Sequence, residues 1–185
     1  MGDMLATAAQ LGILMQDTGL DEDLATLLLE LATGEVQGMA RQRLVAVQDD
    51  QAVLIGSGAP MLELPQRPVT AVTTVTVDGD AVTDWTWPGR ARWLHRGCGW
   101  GHLSTVAVTY DHGYAADDWR LVPAQNATLG LARQVAVNPS GVESESIDDY
   151  RVQYAASLAA AAAAADNLRS SLRRLYGEGA GMVRV

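Results

Sequence analysis

The hydrophobic repeat of this chain changes period twice, and that double change constrains the fold more than any single motif. Leu20, Leu24, Leu27, Leu28 and Leu31 follow the i, i+4, i+7, i+8, i+11 spacing of one buried helix face. From Leu44 to Tyr110 the period is two, as in strands whose side chains alternate between faces. After Pro123, which suits a first helical turn, helical spacing returns at Ala127, Leu131 and Val135. Helices, then strands, then helices again predict an α+β fold: N-terminal helices plus two C-terminal helices form a bundle, with an antiparallel β-sheet region inserted.

The 185 residues suit a single domain with four parts and a core of useful size. Residues 1–44 read as two helices, one from about Thr7 to Met15 and one reaching about Arg43. Thr18-Gly-Leu-Asp21 has the form of a capping box with Asp in place of Glu, and Asp21 to Asp23 put negative charge at a helix N-terminus. Gly34 and Gly38 weaken the later turns but would let another helix approach closely. Residues 45–116 are the β region. VAVQDDQAVLI reads as strand, Asp-Asp turn, strand, and VTAVTTVTVDGDAV as a hairpin turning at Asp78-Gly79. Trp85 and Trp87 share a face, and LSTVAVTY is a closing strand. In residues 117–177, Asn138, Pro139 and Gly141 stop a helix, and an acidic loop leads to a short strand at Tyr150, Val152 and Tyr154. Ser157 then caps an alanine-rich last helix ending at Gly177. Residues 178–185 are expected to be a flexible tail.

Composition narrows the function classes. With a net charge of −9 and a pI near 4.6, the chain repels phosphate backbones, which argues against a general nucleic-acid binder. The same charge suits a wall that DNA slides past. A single cysteine, Cys98, excludes an internal disulfide. No cation precedes Arg41, so the N-terminus makes a poor signal peptide, and the uncharged stretch from Val152 to Ala165 is mostly alanine and too short to span a bilayer.

Three constellations invite a chemical reading. His95, Cys98, His102 and His112 offer zinc's preferred ligand types, but their spacing matches no standard knuckle, and each suits a loop or strand end. WTWPGRARWLHRGCGWG interleaves Trp85, Trp87 and Trp93 with Arg90, Arg92 and Arg96. Such a stretch grips single strands by stacking, or docks a partner as an arm, or covers a small core while its arginines pair with the chain's own carboxylates. Glu143, Glu145, Asp148 and Asp149 lack calcium-loop spacing and read as a solvated loop. No nucleophile elbow, phosphate-cradling loop or H-E-x-x-H occurs. Asp111 and His112 are neighbours on a strand and so point to opposite faces.

A resemblance runs through most of the chain, from about residue 5 to 176. The acidic helix start at Asp21, LPQRPVTAVTTVTVDGDAV, VTYDHGY and NPSGVESESIDDYRVQY before a final helix occur in the order found in head–tail connector (adaptor, or head-completion) proteins of tailed bacteriophages, which this chain resembles. The Trp/Arg arm and the alanine run depart from the family pattern. The resemblance implies a structural virion protein with no enzymatic activity, cofactor or metal. It would form a ring, usually twelve-fold, beneath the portal protein, extend the channel for passing double-stranded DNA, and offer a platform to the next neck (stopper) protein. It would be made in the bacterial host cytoplasm and reside in the virion neck, away from membranes. On this reading Arg169, Arg173, Arg174 and the tail residues Met182, Val183 and Val185 are candidates for docking to the portal, and Ile147, Tyr150, Val152 and Tyr154 for contacts between subunits. Trp85, Trp87, Arg90, Arg92 and Trp93 are arm-contact candidates with no family counterpart. The alternatives are a stopper or tail-completion protein of the same neck, a small zinc-binding module, and a single-strand-binding module.

Overall fold

The computed structural model describes residues 4–16, 20–89, 91–137, 144–147, 150–153 and 158–177, with backbone alone for 144–147, 150–153 and 158–162. Helices and antiparallel strands are segregated along the chain, so the fold is α+β as the period changes predict. Two compact units emerge, residues 43–118 and residues 1–42 with 119–185.

The second of these units holds the helices. Helix α1 (Ala8–Met15) opens with a reciprocal capping box. Gln10 N donates to Thr7 Oγ1 at 3.2 Å, and Thr7 N donates to Gln10 Oε1 at 2.9 Å. Helix α2 (Glu22–Ala40) is capped by Asp21 itself, which accepts from Leu24 N at 2.8 Å, so Asp21 is the N-cap and not the closing member of a box begun at Thr18. It stops before the expected Arg43, because Arg41 turns left-handed (φ 55°) and its N–H bonds back to the Gln37 and Gly38 carbonyls. A 3₁₀ turn (Trp119–Leu121) leads into α3 (Val122–Val137). Helix α4 (Leu158–Leu172) ends in a π-type turn (Arg173–Gly177), where the Tyr176 hydroxyl donates to the Arg120 carbonyl.

Both expected helix faces are rotated from the ones actually buried. In α2 the core side is Ala25, Leu28, Leu29, Ala32, Val36 and Ala40, while Leu24, Leu27 and Leu31 face outward. In α3 it is Ala124, Thr128 and Ala132, and Val135 is exposed. The cause is size. Helix α2 packs along α3, and small side chains at their interface let the axes approach, so alanine and threonine take positions where hydropathy alone would put leucine.

In the unit 43–118, β1 (Val47–Ile55), β7 (Thr105–His112), β3 (Val69–Val77) and β4 (Asp80–Ala81) form an antiparallel sheet in the order β1-β7-β3-β4. A second sheet has β6 (Trp93–Arg96) between β2 (Met61–Glu63) and β5 (Trp85–Thr86). Their shared core includes Trp100, Tyr110, Leu94, Leu62, Val106 and Val75. Asp78 and Gly79 (φ 52° and 94°) make the tight β3–β4 turn as expected. VQDDQ is no turn, however. Strand β1 runs through it with a bulge between Val47 and Asp50, and Asp49 (φ 52°) anchors the kink by donating its N–H to Asp111 Oδ1 at 2.8 Å.

The acidic stretch differs too. Residues read as loop form strand β8 (Ser144–Ile147), paired antiparallel with β9 (Tyr150–Gln153) in the register Ser144 to Gln153 and Ile147 to Tyr150. The polar composition of SESI hides a strand whose partner lies only two residues on.

Candidate assembly surfaces

The tryptophan–arginine stretch folds back on its own unit. Trp85 and Trp87 pack against the β core, and their indole N–H groups donate to Val82 O at 2.9 Å and Ala91 O at 2.8 Å. Arg92 pairs with Glu63 at 2.7 Å, and Arg96 Nε reaches both Asp84 carboxylate oxygens at 2.9 and 3.0 Å. The Arg96 guanidinium holds the Asp84 carboxyl below the usual carboxylate range. These arginines therefore spend their charge inside the chain, leaving Trp93, 36% exposed, as the outward-facing aromatic of the described arm candidates. Arg90 lies outside the described residues.

The His/Cys constellation disperses. His95, Cys98 and His102 are exposed, whereas His112 is buried on β7, with Nε2 3.0 Å from Asp50 Oδ2. Cys98 Sγ donates to Asp84 Oδ2 at 3.4 Å. Among the described residues, no three His, Cys, Asp or Glu side chains are grouped to hold a metal ion. Gly99 of HRGCGWGH has a packing reason instead. At Gly99 (φ 80°) a Cβ would lie 2.7 Å from the Gly58 carbonyl oxygen, because the loop wraps closely around the buried Trp100.

Beside His112 stands Tyr110, their ring centroids 5.3 Å apart. Burial of the Tyr110 hydroxyl pushes its pKa from 10.0 up to about 12. The folded state thus holds the phenolic proton more tightly than the unfolded chain does. The stability tied to this proton is complete below pH 10 and is lost as pH rises through about 12. Urea titrations across that window should show a steeper alkaline loss for wild type than for Tyr110→Phe; parallel curves would contradict it.

Of the portal-docking candidates, Arg169 is tied to Asp166 at 3.1 Å, while Arg173 and Arg174 are exposed with no ion-pair partner among the described residues. Met182, Val183 and Val185 lie outside the described residues, as does Tyr154. Of the subunit-interface candidates, Ile147 is opposite Tyr150 in the β8–β9 pair, with Val152 opposite Glu145. The largest signal missed in the sequence is the outer face of α2, where Leu24, Leu27 and Leu31 are 48%, 52% and 64% exposed. The i+3, i+7 spacing of these three was legible, but its direction was not. Among the described residues, no helix is long and apolar enough to cross a membrane.

Solved structures share the fold. A chain in the neck of an empty gene transfer agent (GTA) particle, computed with C6 symmetry, matches with TM-score 0.56 and 17% identity over 98% of this chain and 94% of its own. One in the neck of a native GTA particle, computed with C12 symmetry, matches with TM-score 0.53 and 18% identity over 96% and 94%. One in the virion of a native GTA particle matches with TM-score 0.58 and 18% identity over 97% and 93%. At these identities the likeness establishes the fold, helices and β region together, across nearly the whole of both chains. No protein-family model and no curated protein matches the chain.

Proposed function

We propose that this chain is a structural neck protein of a phage-like particle, forming a ring that joins a DNA-filled head to its tail. The observation that carries the reading is the two-way coverage: 96–98% of this chain aligns with 93–94% of chains from GTA necks and virions. A shared single module would leave large parts of one partner unmatched. The order of the family-like motifs along the sequence supports it independently.

The physical properties suit the task. A net charge of −9 gives a channel wall that a duplex passes without being held by counterion release. Two of the matching necks were computed with C6 and C12 symmetry, which favours a ring of this chain as well. The portal above and the next neck protein below are the partners such a ring requires. Its work is mechanical, with no reaction to catalyse. The tail residues Met182, Val183 and Val185, with Arg169 beside them in the proposal, would engage the portal, and the β8–β9 hairpin carrying Ile147, Tyr150 and Val152 would reach a neighbouring subunit.

Particles assembled in a host lacking this chain should package DNA yet carry no tail and lose their contents. Electron microscopy of wild-type particles should show the chain as a ring between portal and tail. Intact tailed particles made without it would refute the proposal.

A further inference from the structure

Resting on the ring reading, we infer that the outer face of α2 is the surface by which one copy receives the next, and that its occupant is the arginine-rich end of the last helix of a second copy. Leu24, Leu27, Leu31, Gly34 and Gly38 are spaced alternately by three and four residues, the seam of a helix that packs lengthwise on another. All five are exposed. Three leucines in a row on a solvent face, in a helix already buried on its other side, form an unpartnered apolar stripe.

The two glycines continue the stripe and have no explanation within the chain. A Cβ built at Gly34 or Gly38 meets nothing within 4 Å, so alanine, the better helix former, would fit both positions. What glycine provides there is a shallow floor against which another backbone can come close.

Charge decides the occupant. Helix α2 has four carboxylates, Glu22, Asp23, Glu30 and Glu35, all exposed, and no basic residue. Glu30 and Glu35 flank the stripe. Two such faces meeting symmetrically would bring like charges together, which disfavours an α2–α2 dimer. The complementary surface is on the same chain. The α4 end presents exposed Arg173 and Arg174 beside Leu175, 57% exposed, and the helix's one described carboxylate, Asp166, is already paired with Arg169. An acidic leucine stripe and a basic leucine end are different patches, so their contact is head-to-tail, the kind that closes into a ring. This moves Arg173 and Arg174 from the portal contact to the neighbouring subunit.

The test uses the full chain in a Cys98→Ser background. Glu30→Cys protein mixed with Arg174→Cys protein at high concentration under mild oxidation should give mainly the mixed disulfide. Leu27→Glu with Leu31→Glu should weaken self-association at least about 30-fold, the scale of an interface hot spot, with an unchanged melting curve. Glu30→Arg with Glu35→Arg should do the same, and adding Arg173→Glu with Arg174→Glu should restore it. Symmetric disulfides alone, or undiminished association of the leucine variant, would overturn the α2 assignment and leave the ring standing. A wild-type chain that stays monomeric at millimolar concentration, together with no disulfide of any kind between the cysteine variants, would sink both.

Discussion

Gly113→Ala is expected to cost the unit 43–118 roughly 3 kcal/mol or more, enough to remove a large part of a typical domain's stability. Gly113 follows the last residue of β7 with φ 92°, a conformation that side chains rarely tolerate. Space is the second obstacle. A Cβ there would stand 2.5 Å from the Val45 carbonyl oxygen, 2.7 Å from its carbon and 2.9 Å from Ala46 Cα. All three are backbone atoms, so no side-chain rotation relieves the clash. The backbone cannot easily retreat either. Gly113 N donates to Pro68 O at 3.0 Å, Tyr114 N to Leu44 O at 2.8 Å and Ala46 N to Tyr114 O at 2.9 Å, so the segment is tied on both flanks. Four of the five tryptophans belong to this unit, so fluorescence during urea denaturation reports on it directly. A wild-type midpoint for Gly113→Ala would show that the strands can part here at little cost. The motif VTYDHGY thus has a steric reason for its glycine and a buried place for its histidine.

Much of the architecture was legible because period survives any uncertainty about detail. The switches near Leu44 and Pro123 mark where helices give way to strands and return. What periodicity could not supply was the direction a face points. Leu24, Leu27 and Leu31 carry the strongest helical signal in the chain and still lie outside, because alanines and Thr128 make the closer helix contact. Their outward position is what the inferred contact between copies would cover. Asp49-Asp50 looked like a turn because its composition is that of a turn, and only the pairing of β1 with β7 on both sides of it reveals a bulge. In the same way, the arginines of the tryptophan stretch left open a grip on nucleic acid, a partner contact and pairing with the chain's own carboxylates, and Glu63 and Asp84 decide for the pairing of Arg92 and Arg96. Long-range partners decide such sites, and one-dimensional spacing does not contain them.

Tryptophan itself offers the sharpest separation of structural from assembly roles. Trp100 is fully buried, the largest such side chain among the described residues, and Trp119 is 78% exposed. Trp100→Ala should destabilise the β unit by about 3–5 kcal/mol, the usual range for emptying a large aromatic site. The loss has parts beyond the cavity. The Trp100 indole N–H donates to Pro60 O at 3.1 Å, and the Arg96 guanidinium carbon stands 5.7 Å from the ring centroid, so truncation removes a hydrogen bond and a cation–π contact, while Pro60 O keeps the Arg96 N–H at 2.9 Å. Trp100→Phe should recover part of the packing and a weaker cation–π contact but not the hydrogen bond, placing it between alanine and wild type. Trp119→Ala should stay within about 0.5 kcal/mol of wild type, since little of its side chain is packed. Urea midpoints of the three variants measure all of this together. A stable Trp100→Ala protein would mean that the two sheets are not held by this indole. The proposed ring would need every subunit folded, so on that reading Trp100→Ala should also abolish assembly, and stabilising conditions that refold the variant should restore it.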